Sequence, residues 1–124
     1  MKTYITRRKY GESELQRNCV KWLRLHFPDI VCFAVPNGGA RNKISAAILK
    51  GEGVLAGCTD LVILKPNKEY HALFVEMKYE KGRQTQSQKD FESKCVKNGY
   101  KYVICRSLYG FMDEVRNYLK TEQP

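Results

Sequence analysis

Three side chains in this sequence combine type and spacing in a way that could do chemistry: Asp60, Glu76 and Lys78. Glu76 and Lys78 interrupt an otherwise apolar run, "LFVEMK", residues 73 to 78. Successive strand residues point to opposite faces, so Phe74, Glu76 and Lys78 share one face while Leu73, Val75 and Met77 share the other. On spacing alone the pair also fits an edge strand leaving the core, with its charges solvated or weakly ion-paired. Asp60 shifts that weighing, because it opens the run "DLVIL" after a glycine-containing turn and the following hairpin can carry it beside Glu76. Two converging carboxylates repel each other unless a cation lies between them, and hard oxygen donors of this kind suit Mg²⁺ or Mn²⁺. With a lysine two residues beyond the second acid, the set has the parts for phosphodiester hydrolysis. An ion there activates water and neutralises phosphate charge, while the ammonium orients the nucleophile and stabilises the transition state.

The elements that must position these residues follow from periodicity and punctuation. Leu15, Cys19, Trp22 and Leu23 recur at helical spacing over residues 12 to 26, and Ser13 with Gln16 fits a capping box at the start. "IVCFAV" (30 to 35) is a β-branched run ended by the turn signal "PNGG". Residues 41 to 50 predict a short helix with Ile44, Ala47 and Ile48 on one face, closed by Gly51. "DLVIL" and "HALFVEMK" predict two strands joined by the hairpin loop "KPNKEY". Thr85 and Gln88 can cap a helix that runs to Asn98 and stops at Gly99. "YKYVICR" is a further strand, and Ser107 opens a last helix carrying Leu108, Phe111, Met112, Val115 and Leu119. The strand-helix-strand unit from 72 to 106 implies a parallel crossover. The expected fold is therefore α/β, a single compact domain with a mixed central β-sheet flanked by helices.

Bulk properties bound the rest. The 124 residues make one domain, 1–124, that opens with a basic N-terminal segment, 1–11. The longest apolar run, Ile30 to Val35, is far too short for a membrane span. "MKTYITRRKY" lacks the apolar stretch of a secretory signal, which leads us to expect a cytoplasmic protein. Five cysteines without a Cys-x-x-Cys pair, and two histidines away from metal-ligand spacing, favour small buried hydrophobes over disulfides or a zinc site. The formal charge of +9 favours an anionic partner such as a phosphate backbone, although it is spread along the chain.

Asp60 followed by Glu76-Met77-Lys78 resembles the D…(D/E)-x-K signature of the PD-(D/E)xK nuclease superfamily. The longer strings "PNGGARNKISAAILKGEGVLAGCTDL", "FVEMK" and "KGRQTQSQKDF" resemble the VRR-NUC (virus-type replication-repair nuclease) family across most of the chain. That resemblance implies a restriction-endonuclease-like core and a metal-dependent DNA endonuclease. It assigns Asp60 and Glu76 as metal ligands with the main-chain carbonyl of Met77, and Lys78 as the catalytic lysine. It also maps an acidic residue of the first helix onto Glu14, as a further ligand, and a catalytic glutamine onto Gln88. Glu14 reads equally as a carboxylate favoured by the helix dipole, and Gln88 as the partner of Thr85 in a capping box. Thr59 stands where the superfamily has its proline, a residue that shapes the approach to the aspartate and ligates nothing.

Asn37, Gly38 and Gly39 form a plain turn or, by resemblance, a loop where a nucleic-acid backbone approaches the metal. Gly53 and Gly57 supply the backbone geometry that delivers Asp60. Arg41, Lys43, Lys50, Lys81 and Arg83 flank the site in sequence as phosphate contacts, each equally readable as a solvated charge. Tyr79 is one of many tyrosines available to stack on a base. Small stand-alone members of the family resemble symmetric homodimers acting on branched DNA such as four-way junctions or flaps, in replication, repair or recombination and in phage settings, with 5′-phosphate products. The competing readings are a nucleic-acid-binding module without chemistry and an RNase.

Overall fold

A computed structural model describes residues 4–36 and 43–120 of the chain. Within them run α1 (Tyr4–His26), β1 (Val31–Ala34), α2 (Lys43–Gly51), β2 (Leu61–Leu64), β3 (Leu73–Met77), α3 (Gln86–Lys97), β4 (Lys101–Cys105) and α4 (Leu108–Lys120), in the predicted order. The strands form one sheet, β1-β2-β3-β4. β1 and β2 pair antiparallel with Val31 opposite Leu64, as do β2 and β3 with Leu61 opposite Val75. β3 and β4 pair parallel, with Val75 opposite Val103, and α3 supplies the crossover between them. β3 is thus an interior strand. The edge-strand reading of Glu76 and Lys78 fails on that pairing, and both side chains are buried.

The hairpin between β2 and β3 closes through Asn67. Its Oδ1 accepts from the backbone N–H groups of Glu69 (2.9 Å) and Tyr70 (2.7 Å), while its Nδ2 donates to the Tyr118 carbonyl at 3.0 Å. A loop-forming side chain thereby also anchors α4.

Alternation divides the sheet into two unlike faces. Leu61, Ile63, Leu73, Val75, Met77, Val103 and Cys105 meet Cys19 and Leu23 of α1 and Phe111, Val115 and Tyr118 of α4, forming the main core. Trp22 and Phe111 join the two helices edge to face at 6.0 Å. On the other face Phe74 stacks on Tyr100 (4.9 Å) and on Phe91 of α3 (5.9 Å). The cysteines are free thiols, and burial raises Cys19 and Cys105 to about 12 and Cys95 to about 11, so at neutral pH they are protonated core residues.

One local expectation is corrected. α1 begins at Tyr4, so Ser13 and Gln16 lie inside the helix and cap nothing, and 4–11 is helical. Gly11 is tolerated there because the Tyr79 ring packs on it: a Cβ would lie 2.4 Å from that ring. α2 forms as expected, yet Ile44 and Ile48 on its apolar face are exposed. No helix among the described residues is long and apolar enough to cross a membrane.

Candidate active site

The ladder itself brings the two acids together. Leu61 opposes Val75, so one step along the antiparallel register sets Asp60 opposite Glu76, on the same face of the sheet. The Asp60 backbone is held from both sides. Its N–H donates to the Val75 carbonyl (3.1 Å) and its carbonyl accepts from Val35 N–H (2.9 Å). Its Oδ2 accepts from Met77 N–H at 2.7 Å, completing a ladder position that β2 leaves open.

Thr59, fully buried, explains how the turn dispenses with proline. Its hydroxyl lies 2.7 Å from the Val75 carbonyl and 3.2 Å from that of Leu61, pinning the residue before the aspartate to β3. Gly57 adopts φ +78°, and a Cβ there would fall 2.3 Å from the Ser87 carbonyl carbon. The turn that delivers Asp60 therefore rests directly on the first turn of α3, and only glycine allows both the conformation and the approach. Gly53 also has positive φ, at 107°, with open space around it.

Glu76 is 1% exposed. Its Oε1 accepts a hydrogen bond from the Tyr102 hydroxyl, while its Oε2 has no hydrogen-bond partner and lies 3.7 Å from Lys78 Nζ. Lys78 Nζ donates to Gln88 Oε1 at 3.0 Å. The same oxygen accepts from Thr85 N–H at 2.8 Å, and Gln88 N–H donates back to Thr85 Oγ1 at 3.3 Å. Gln88 is thus both half of a capping box and the acceptor that holds the lysine. Tyr102 reaches on through Gln84, whose Nε2 lies 3.4 Å from the phenol oxygen and donates to Glu92 Oε1 at 2.9 Å.

Desolvation raises the pKa of Asp60, partly offset by the Met77 N–H bond and by the charge of Lys78. Desolvation also raises Glu76, against the Tyr102 hydrogen bond and Lys78, and the Asp60 charge pushes it further. One ammonium serves two carboxylates, Glu76 buried and Asp60 half-buried, so the site is short of positive charge. The orphaned Glu76 Oε2 is the atom that a cation would satisfy. Among the described residues no group of three or more His, Cys, Asp or Glu is arranged to hold a metal. A metal here would rest on two carboxylates, the Met77 carbonyl and water, a donor set that fits Mg²⁺, which keeps several waters and takes few protein ligands.

Beside Asp60 opens a cleft of about 930 Å³, lined by Glu12, Ser13, Gln16, Arg17, Val20, Lys21 and Arg24 of α1, by Ala34 to Pro36, and by Asp60, Met77 and Gln88, whereas Glu76 and Lys78 do not line it. Glu14 does not line it and is exposed. Two residues along a helix is a rotation of about 200°, so α1 turns Glu12 toward the cleft and Glu14 away. Glu12 Oε1 faces Tyr79 N–H at 3.5 Å. Lys50 lines a neighbouring hollow of about 470 Å³ that shares Pro36 with the cleft. Lys81 and Arg83 are exposed outside the cleft, on a loop held by Arg106, whose Nη1 donates to the carbonyls of Glu80 (2.9 Å) and Gly82 (2.8 Å). Tyr79 is half-buried against Gly11. Asn37, Gly38, Gly39 and Arg41 lie outside the described residues, as does the side chain of Lys43.

Sequence reasoning missed Tyr102, Glu12 and the cations of α1. Tyr102 opposes Phe74 in the β3–β4 pairing and so shares the face of Glu76, but that signal appears only once the parallel register is known.

A model of the VRR-NUC domain family matches residues 10–108, a span that contains Asp60, Glu76, Lys78, Gln88 and Tyr102. No curated protein matches the sequence. A solved structure named VRR_NUC domain protein has the same fold, with a TM-score of 0.77, 24% sequence identity and 91% of each chain covered.

Proposed function

Because the chain belongs to the VRR-NUC family, a family of nucleases, we propose that it is a metal-dependent DNA endonuclease whose hydrolytic centre is Asp60, Glu76 and Lys78. The observation that carries this reading is the buried Glu76 carboxylate, paired across the ladder with Asp60 and left with an unpartnered oxygen beside Lys78. Such an arrangement costs stability, and a module that only gripped phosphate would gain nothing from two acids that repel its ligand.

Asp60, Glu76 and the Met77 carbonyl would hold Mg²⁺ or Mn²⁺. When bound, the ion lowers the pKa of water and neutralises phosphate charge. Tyr102 fixes one oxygen of Glu76, leaving Oε2 for the site. Gln88 accepts a hydrogen bond from Lys78, which orients the amine and leaves further N–H groups for the attacking and phosphoryl oxygens. The expected products carry 5′-phosphates.

The finer reading is action on branched DNA, four-way junctions or flaps, by a homodimer in replication, repair or recombination. Val31, Phe33 and Leu64 of the β1–β2 pair are exposed, as are Ile44 and Ile48 of α2, and apolar surface of this kind suits a second copy. A two-fold axis would set two centres against opposing strands. Supercoiled, forked, flapped and four-way DNA, with RNA counterparts, incubated with Mg²⁺, with Mn²⁺ and with chelator, test the proposal. Cleavage that needs metal and is lost in Asp60→Ala supports it. Equal nicking by the variant reveals contamination and removes it, and preferential cleavage of RNA replaces the substrate.

A further inference from the structure

We propose that the cleft face of α1 is the track for the DNA backbone, with Arg17, Lys21 and Arg24 contacting phosphates of one strand and leading it to Asp60 and Glu76. The placement stands on α1 itself; the identity of the polymer rests on the nuclease reading above.

The three cations sit at i, i+4 and i+7, which at 100° per residue directs them within about 60° of one another. They span seven residues, a rise of about 10 Å, against roughly 3.4 Å of rise per nucleotide of a duplex strand. One helix face can therefore follow about three phosphates. The direction they take is set by the opposite face, where Cys19 and Leu23 are buried in the core and fix the rotation of the helix. All three cations are exposed, line the same cleft as Asp60 and Met77, and have no carboxylate partner among the described residues. Arg24 is also steadied by a hydrogen bond from Nη2 to the Cys32 carbonyl at 3.3 Å, which ties it to β1 across the cleft.

The charge over the second half of α1 is of one sign. Glu12 and Glu14 lie in the middle of the helix, after Arg7, Arg8 and Lys9 in the sequence, and from Leu15 to His26 it carries Arg17, Lys21 and Arg24 with no acid. A strand entering along the basic stretch meets attraction first and reaches the acidic centre only at the Asp60 end. That order suits a phosphodiester drawn in by cations and then bridged to the carboxylates by a metal.

Binding of fluorescently labelled duplex and four-way DNA to the full chain, measured by anisotropy in chelator at several salt concentrations, separates binding from cleavage. Arg17→Gln/Lys21→Gln is compared with the charge-matched Lys94→Gln/Lys97→Gln on α3, outside the cleft. Circular dichroism confirms that both fold. We expect the α1 pair to weaken binding about tenfold or more and to reduce the slope of log K against log salt by about 2, roughly 0.9 per lost phosphate contact. Lys21→Arg, which keeps the charge, should bind like wild type. An unchanged slope in the α1 pair, or an equal loss in the α3 pair, overturns the track while leaving the nuclease reading intact. Wild-type protein that neither binds nor cleaves DNA defeats both.

Discussion

At the scale of single residues, Glu76 is the point where stability and chemistry oppose each other. Each oxygen has a different situation: Oε1 takes the Tyr102 hydroxyl and Oε2 takes nothing. Tyr102→Phe removes the donor without changing the ring that packs near Phe91. Metal affinity or activity should fall about 10- to 100-fold, the usual loss when a supporting hydrogen bond is removed from a ligand. Calorimetric titration with Mn²⁺ reads the affinity directly, and an unchanged affinity would show that the phenol does not position Glu76. Asp60 carries the complementary prediction. Its folded pKa is raised, so the folded state loses stability as pH climbs from the ordinary carboxylate range, about 4, through the folded value. Asp60→Asn keeps an acceptor for Met77 N–H and abolishes the charge. It should abolish cleavage while raising the Tm by a few degrees near pH 7, where about 1 kcal/mol moves a small domain by roughly 4 °C. That gain should vanish toward pH 3, where Asp60 is protonated in both states; thermal melts of both proteins across pH decide it.

Among the elements, the first turn of α3 does two jobs. Its capping box neutralises the helix start, and through Gln88 Oε1 the same box holds Lys78. The Gly57 turn leans on that helix start, so the aspartate and the lysine are positioned by one contact between a loop and a cap. Gly57→Ala forces a side chain into the left-handed region and against the Ser87 backbone, a cost on the order of 1–3 kcal/mol. Urea denaturation should show that loss, accompanied by a drop in cleavage. Wild-type stability in the variant would mean that the turn does not bear on α3. This cap was legible in the sequence because Thr85 and Gln88 are three residues apart, a purely local pattern. The contact with Gly57 was not, since nothing within "GEGVLAG" states what the turn will touch.

For the whole molecule, the exposed apolar side chains of β1, β2 and α2 bear on assembly. Phe33 is 42% exposed and Leu64 is 50% exposed, so Phe33→Lys/Leu64→Lys should leave the monomer fold intact. If a second copy covers this face, sedimentation velocity will show the wild type as a dimer and the variant as a monomer. A monomeric wild type refutes the dimer and confines each molecule to single-strand cuts. The same global view separates the basic residues. The net charge of +9 was visible from composition, but only the packing of α1 against the core sets Arg17, Lys21 and Arg24 along the cleft and leaves Lys81 and Arg83 outside it.

By itself the sequence determined whatever depends on neighbours along the chain: the element order, the cap at Thr85, and the sharing of a face by Glu76 and Lys78, which follows from a period of two. Tertiary structure alone decided the relations between elements: Tyr102 on Glu76, Glu12 at the cleft in place of Glu14, and the exposure of Ile44 and Ile48. Those depend on strand register and on the rotation of each helix about its axis. Both are settled by long-range burial of apolar surface, and a one-residue change in either would send a different set of side chains to the site.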